Sequence, residues 1–261
     1  NKANLASAPL AGVEEFDDRL KRTDEDRWLA TRYAPAEGRE RLVAIYLLNQ
    51  ELQRTLHTKE PMLGKIRVQW WRETIEQVAG KAPLRRHDLA EELARVTKDR
   101  PDLIAPINDL VDRFDDIIDD HLQGGHTDGG AHEARHLATE GSLARLAGLA
   151  LDPKTTPEQL ATLSSIGEAR IALAAGLTDA EARWSTARAN ARKLPSRLFP
   201  AILHLADQVV MVARSGETVG ADLVDAARIV DIPLDRRSGV VLTMSPQAGR
   251  QRSSTGRPHA A

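Results

Sequence analysis

The sequence predicts an all-α, single-domain bundle, and three observations carry that prediction. Aromatic residues are only 3 % of the chain, and the β-branched types are outnumbered by Ala, Leu, Arg and Glu, a composition that suits pleated sheets poorly. From Asp26 to about Val212 the apolar residues recur every three or four positions, the period of a helix face. Hydrophobic residues make up 41 % and charged residues 28 % of the 261 positions, the balance of a chain that buries a core. A helical chain of this length fits around one core.

The elements follow in order. Residues 1–22 carry mixed signals and are expected to be loosely ordered; residues 23–232 read as the helical domain. Pro35 opens a helix running to about His57, since a first-turn proline lacks only an N–H that would be unpaired there. Leu42, Ile45, Leu48, Leu52 and Leu56 form its apolar face. A second helix spans Met62–Val78 and ends at Gly80. A third covers Leu84–Val96, and Pro101 opens a fourth whose stripe is Leu103, Ile107, Leu110, Val111, Phe114, Ile117 and Ile118. After the paired glycines 124–125 and 129–130, a helix over Ala131–Leu151 carries Gly141, Ala144 and Gly148, which permit a close neighbour. Thr156-Pro157-Glu158-Gln159 is a capping box, and Thr178-Asp179-Ala180-Glu181 repeats the signal. Leu194–Val212 and Gly220–Val230 are the last predicted helices. Residues 233–261 read as a disordered basic tail, with five arginines and no acidic residue from Arg236 onward.

Composition also excludes functions. Without cysteine there is no disulfide, thiolate metal site or thiol nucleophile. A net charge of -2, from 36 basic and 38 acidic residues, argues against a nucleic-acid partner. Apolar runs such as Leu42–Leu48 are too short to cross a bilayer. No charged-then-apolar signal segment opens the sequence as given. The expected location is cytoplasmic, with peripheral membrane contact as the other option.

Specific residues then suggest a family. Asp26-Arg27, Tyr33-Ala34-Pro35-Ala36 with Arg39 and Arg41, and Leu42-Val43-Ala44-Ile45-Tyr46 come first. Asn49-Gln50-Glu51-Leu52, Gly64-Lys65-Ile66-Arg67 and Gln69-Trp70-Trp71-Arg72 follow, and Ala138-Thr139-Glu140-Gly141-Ser142-Leu143 with Leu146 closes the set. Together they resemble the squalene/phytoene synthase family. That resemblance implies an isoprenoid-synthase-like helical bundle around a central cavity, lined by Tyr46, Asn49, Gln53, His57 and Arg67. It also implies condensation of prenyl diphosphates in terpenoid biosynthesis, with Mg²⁺ held by two facing aspartate-rich helices. A diphosphate leaving group needs such a cation in an apolar cavity, and Mg²⁺ needs carboxylate oxygens.

The sequence departs from the family at those positions. The two aspartates that the resemblance implies on the Tyr46 helix are replaced by Gln53 and His57, with Arg54 beside them. The second aspartate motif would fall over 171–178, which reads Ile-Ala-Leu-Ala-Ala-Gly-Leu-Thr. Amide and imidazole are poor Mg²⁺ ligands. One branch of the family without these aspartates resembles an assembly factor for respiratory complex I and carries Asn-x-Glu-Leu, as Asn49–Leu52 does here. The expectation is therefore a catalytically degenerate synthase-like protein, without cofactor, that binds a protein partner or an isoprenoid or other lipid. The alternative is an active Mg²⁺-dependent synthase.

Other constellations have two readings each. Asp115-Asp116-Ile117-Ile118-Asp119-Asp120 has a DDxxD form that would place Mg²⁺ on Asp115, Asp116 and Asp119. At 100° per residue, however, Asp116, Asp119 and Asp120 lie opposite the Phe114 stripe, as a solvated face does. His132-Glu133-Ala134-Arg135-His136 matches the zinc motif HExxH, with Glu140 one turn further on, but a chance match is the preferred reading. Gln53 and His57 either line a polar cavity with Tyr46 and Asn49 or sit on an ordinary helix face. Arg67 and Arg72 either bind an anion or pair with Glu73 or Glu76, and Trp70 and Trp71 read as core.

Overall fold

The computed structural model describes residues 11–122 and 129–205, with side chains from 15 to 122 and from 133 to 205. Nine α-helices occupy these residues: α1 (Ala11–Thr23), α2 (Glu25–Thr31), α3 (Ala36–Leu56), α4 (Pro61–Val78), α5 (Asp88–Thr97), α6 (Ile104–Leu122), α7 (Gly129–Leu151), α8 (Pro157–Ala174) and α9 (Ala180–Ala191). Among the described residues there is no strand, so the all-α prediction holds.

Helix α3 is the hub. Every residue from Leu42 to Asn49 is buried, and a helix buried all round must be packed on all sides. Helices α1, α2, α4, α5, α6 and α7 surround it. Helix α6 shows the amphipathic alternative. Its stripe from Ile107 to Ile118 is buried while Asp112, Arg113 and Asp116 are exposed. Each fully buried side chain of that stripe contributes roughly 1.5–3 kcal/mol.

Residues 11–22 depart from the loose order expected of them. They form most of α1, where Leu20 is completely buried and Asp17 accepts from Trp28 Nε1 at 2.8 Å and pairs with Arg32. Pro61 takes the first position of α4, and Gly80 ends that helix with a φ of 79°, which favours glycine. The small residues of α7 do bring α8 close. A Cβ on Gly167 would lie 2.8 Å from the Glu140 carbonyl oxygen, and one on Gly148 would run into Leu163 Cδ1.

Both arms of the capping box at Thr156 form. Gln159 N donates to Thr156 Oγ1 at 3.3 Å and Thr156 N to Gln159 Oε1 at 3.0 Å. The repeated signal at 178–181 does not: Asp179 caps α9 without a side-chain bond and accepts from Arg183 Nε instead. From Leu194 the predicted α-helix is replaced by short 3₁₀ turns, Ser196–Ala201 and Leu203–Leu205. Pro200, inside the first, has no N–H to give an α-helical ladder. The predicted helix 220–230, the tail 233–261 and the end of the 23–232 domain lie outside the described residues.

Candidate functional site

The residues expected to line a cavity divide by depth. Tyr46 and Asn49, one turn apart on α3, are each 1 % exposed. Gln53 and His57, further along the same helix, are exposed, and His57 ends it with Nδ1 2.9 Å from the Gln53 carbonyl oxygen. Arg67, on α4, is exposed and makes no hydrogen bond to any of the other four. The positions that the resemblance assigns to Mg²⁺-binding aspartates thus present an amide and an imidazole already engaged with its own helix.

The region around Tyr46 is polar and buried. Asp24 caps α2 by accepting from Arg27 N at 3.1 Å, and the same carboxylate accepts from Arg27 Nη1 at 2.8 Å. Arg27 Nη2 reaches across to Glu140 Oε1 on α7 at 2.7 Å, while its guanidinium carbon lies 5.6 Å from the Tyr46 ring centre. His204 completes the group. Its ring packs edge-on against Tyr46 with centroids 5.7 Å apart, and Nε2 lies 3.7 Å from Glu140 Oε1.

Charge balance sets the protonation of this group. Burial alone would raise Glu140, but Arg27 and His204 outweigh it and hold the carboxyl at about 2. Burial pushes His204 below its usual range, with help from the Arg27 charge, so the ring is neutral near pH 7. Burial also pushes the Tyr46 phenol well above its usual range. The Tyr46 hydroxyl, Asn49 Nδ2, Arg27 Nε and both His204 nitrogens have no hydrogen-bond partner among the described residues. Buried groups of this kind are where ordered water is normally found.

The acidic run on α6 faces α4, with cations already in place. Lys65 Nζ lies 2.7 Å from Asp115 and 2.6 Å from Asp119. Arg72 pairs with Asp112 at 2.6 Å and Asp115 at 2.9 Å, not with the expected Glu73 or Glu76. Asp120 pairs with Arg135, and Asp116 is exposed. Burial would raise Asp115, but Lys65 and Arg72 outweigh it and hold the carboxyl below the usual carboxylate range. The solvated-face reading fits Asp116, whereas Asp115 and Asp120 are mostly covered by interhelical ion pairs and Asp119 is half exposed beside Lys65. Among the described residues no three His, Asp or Glu side chains are grouped as metal ligands.

Glu140, read as extending the HExxH stripe, instead pairs with Arg27. The His132 side chain lies outside the described residues, and His136 has its own interactions. Trp71 is core at 4 % exposure, but Trp70 is half-buried, with Arg85 stacked at 4.8 Å from its ring centre. The Arg27–Glu140–His204 group has no signature in the sequence. Its members are scattered along the chain, and no local pattern marks a pair 113 residues apart.

The squalene/phytoene synthase family model matches residues 20–123. The matched stretch includes Asp26-Arg27, Tyr46, Asn49–Leu52, the Trp70-Trp71-Arg72 block and the α6 acids, and it stops short of α7. No curated protein and no solved structure matches the chain. No described helix is long and apolar enough to cross a membrane.

Proposed function

We propose that this squalene/phytoene synthase-like chain is catalytically degenerate and acts by binding a partner or a lipid, as an assembly protein does. Respiratory complex I assembly is the specific role that its Asn49-Gln50-Glu51-Leu52 resemblance favours. The observation that carries the reading is the Gln53–His57 pair. The residue types there do not fit Mg²⁺: an amide and a ring bonded to the Gln53 carbonyl replace two carboxylates. The apolar stretch 171–178 offers no second acidic site.

The alternative is an active Mg²⁺-dependent synthase, for which the α6 carboxylates are the available ligands. Asp115 and Asp119 share Lys65, and a divalent ion there would have to displace an ammonium bonded to both. The deciding experiment incubates the purified protein with prenyl diphosphates and Mg²⁺. No condensation product is expected, and turnover abolished by Asp115→Asn or Asp119→Asn would establish the enzyme reading instead. We place the protein in the cytoplasm, free or in peripheral membrane contact, without a cofactor.

A further inference from the structure

The α4 surface is more apolar than a solvent-facing helix requires. Met62, Leu63 and Ile66 are 56 %, 46 % and 60 % exposed, and the half-buried Trp70 continues the line. Met62, Ile66 and Trp70 are four residues apart, so they share one face. Beside them runs a groove of about 430 Å³ lined by Lys65, Ile66, Gln69, Trp70, Glu73 and Asp115. An exposed apolar strip along a groove is the form taken by surfaces that receive another apolar element.

The charges beside the strip select the occupant. Along the α6 side stand Asp112, Asp116 and Asp119, all substantially exposed, and Glu73 is half exposed on α4 itself. Lys65 and Arg72, between the helices, are each shared by two aspartates, and Arg85 pairs with Glu73, so the five acids Glu73, Asp112, Asp115, Asp116 and Asp119 outnumber these three cations. We infer that the α4–α6 groove docks a cationic amphipathic helix of a partner protein. Apolar side chains spaced at helical intervals seat along Met62, Ile66 and Trp70, and flanking Lys or Arg residues meet the α6 carboxylates. An anionic bilayer would be repelled by that acidic wall. A second copy of this chain would bring an identical wall against it, and like charges in register oppose association.

The inference rests on the partner-binding reading but fails separately from it, since turnover tests that reading and peptide binding tests this one. The probe is a labelled helical peptide with Leu at amphipathic spacing and Lys elsewhere, compared with a Leu/Glu twin by fluorescence anisotropy on the full chain. The Leu/Lys peptide is expected to bind at least about tenfold more tightly than its twin, a difference of ~1.4 kcal/mol. Ile66→Ser and Asp116→Lys, both at exposed positions, are each expected to weaken it about tenfold, while Glu181→Lys on α9 leaves it unchanged. Equal affinity for both peptides, no binding, or equal loss in all three variants would overturn the proposal. So would normal peptide binding in Ile66→Ser combined with lost flotation on phosphatidylcholine vesicles, which would assign the strip to lipid. A concentration-dependent dimer abolished by Ile66→Ser would assign it to a second copy.

Discussion

Arg27 on α2 donates to Glu140 on α7 at 2.7 Å, and the pair lies against the ring of Tyr46 on α3. Three helices therefore meet at one buried charge pair. A carboxylate in this position is stabilising only while its partner is present, because an unpaired buried charge pays most of its desolvation penalty without compensation.

Glu140→Gln should therefore destabilise the fold by about 3 kcal/mol, as should Arg27→Met, because each leaves a buried charge with reduced pairing. The double variant Arg27→Met/Glu140→Leu should recover most of that loss, since it removes both charges and keeps apolar volume. Urea denaturation of the single and double variants measures the difference.

Acid should act through the same group. The Glu140 carboxyl sits at about 2 rather than at its usual 4.5, so its contribution is present above pH 4.5 and is lost as pH falls toward 2. His204 is held below its usual 6.5, so it costs nothing above that pH and opposes folding as pH drops beneath it. Stability should fall from pH 6.5 downward, with a steeper decline below pH 4.5. Urea midpoints across pH should lose the upper part of this slope in His204→Gln and the lower part in Glu140→Gln.

Mg²⁺ should not stabilise the protein. A ligand that binds the native state raises the melting temperature by mass action, and Asp115 and Asp119 already hold Lys65. The melting temperature is expected to stay constant through millimolar Mg²⁺. Asp115→Asn should cost about 1 kcal/mol, the scale of a part-exposed charged network, by weakening the Lys65 and Arg72 bridges. A Mg²⁺-dependent rise in melting temperature that Asp115→Asn removes would contradict this assignment.

The α7–α8 contact should be intolerant of a single methyl group. In Gly167→Ala the new Cβ meets the Glu140 carbonyl oxygen at 2.8 Å, and backbone cannot swing aside as a side chain can. A loss of about 2 kcal/mol is expected, the ordinary cost of overpacking. At Gly80, by contrast, a Cβ meets nothing within 4 Å, and any loss comes from the positive φ alone. Thermal melts of Gly167→Ala and Gly80→Ala should show the larger fall for the first.

Legibility followed the range of the interactions. The α6 stripe and the Thr156 capping box depend on residues within a turn or two, and both were evident from spacing. Periodicity places Trp70 on a helix face without showing whether another element covers it, and the side chain is half-buried rather than core. Sequence proximity points Arg72 to Glu73 or Glu76, its helical neighbours, whereas α6 supplies nearer acids. Helix α1 leaves no clear local signal because its support is tertiary: Leu20 is buried and Asp17 holds Trp28 and Arg32 of α2 and its end.

By itself the sequence determined that this chain is helical, where its principal helices run, and that an amide and an imidazole stand where the resemblance places metal-binding aspartates. Only the tertiary structure decided which carboxylates are neutralised, that Arg27, Glu140 and His204 close together around Tyr46, and that an apolar strip on α4 is left facing outward. The division is physical. Helix formation and capping are settled over a few residues of chain, whereas ion pairing and burial depend on which distant helices the core brings into contact.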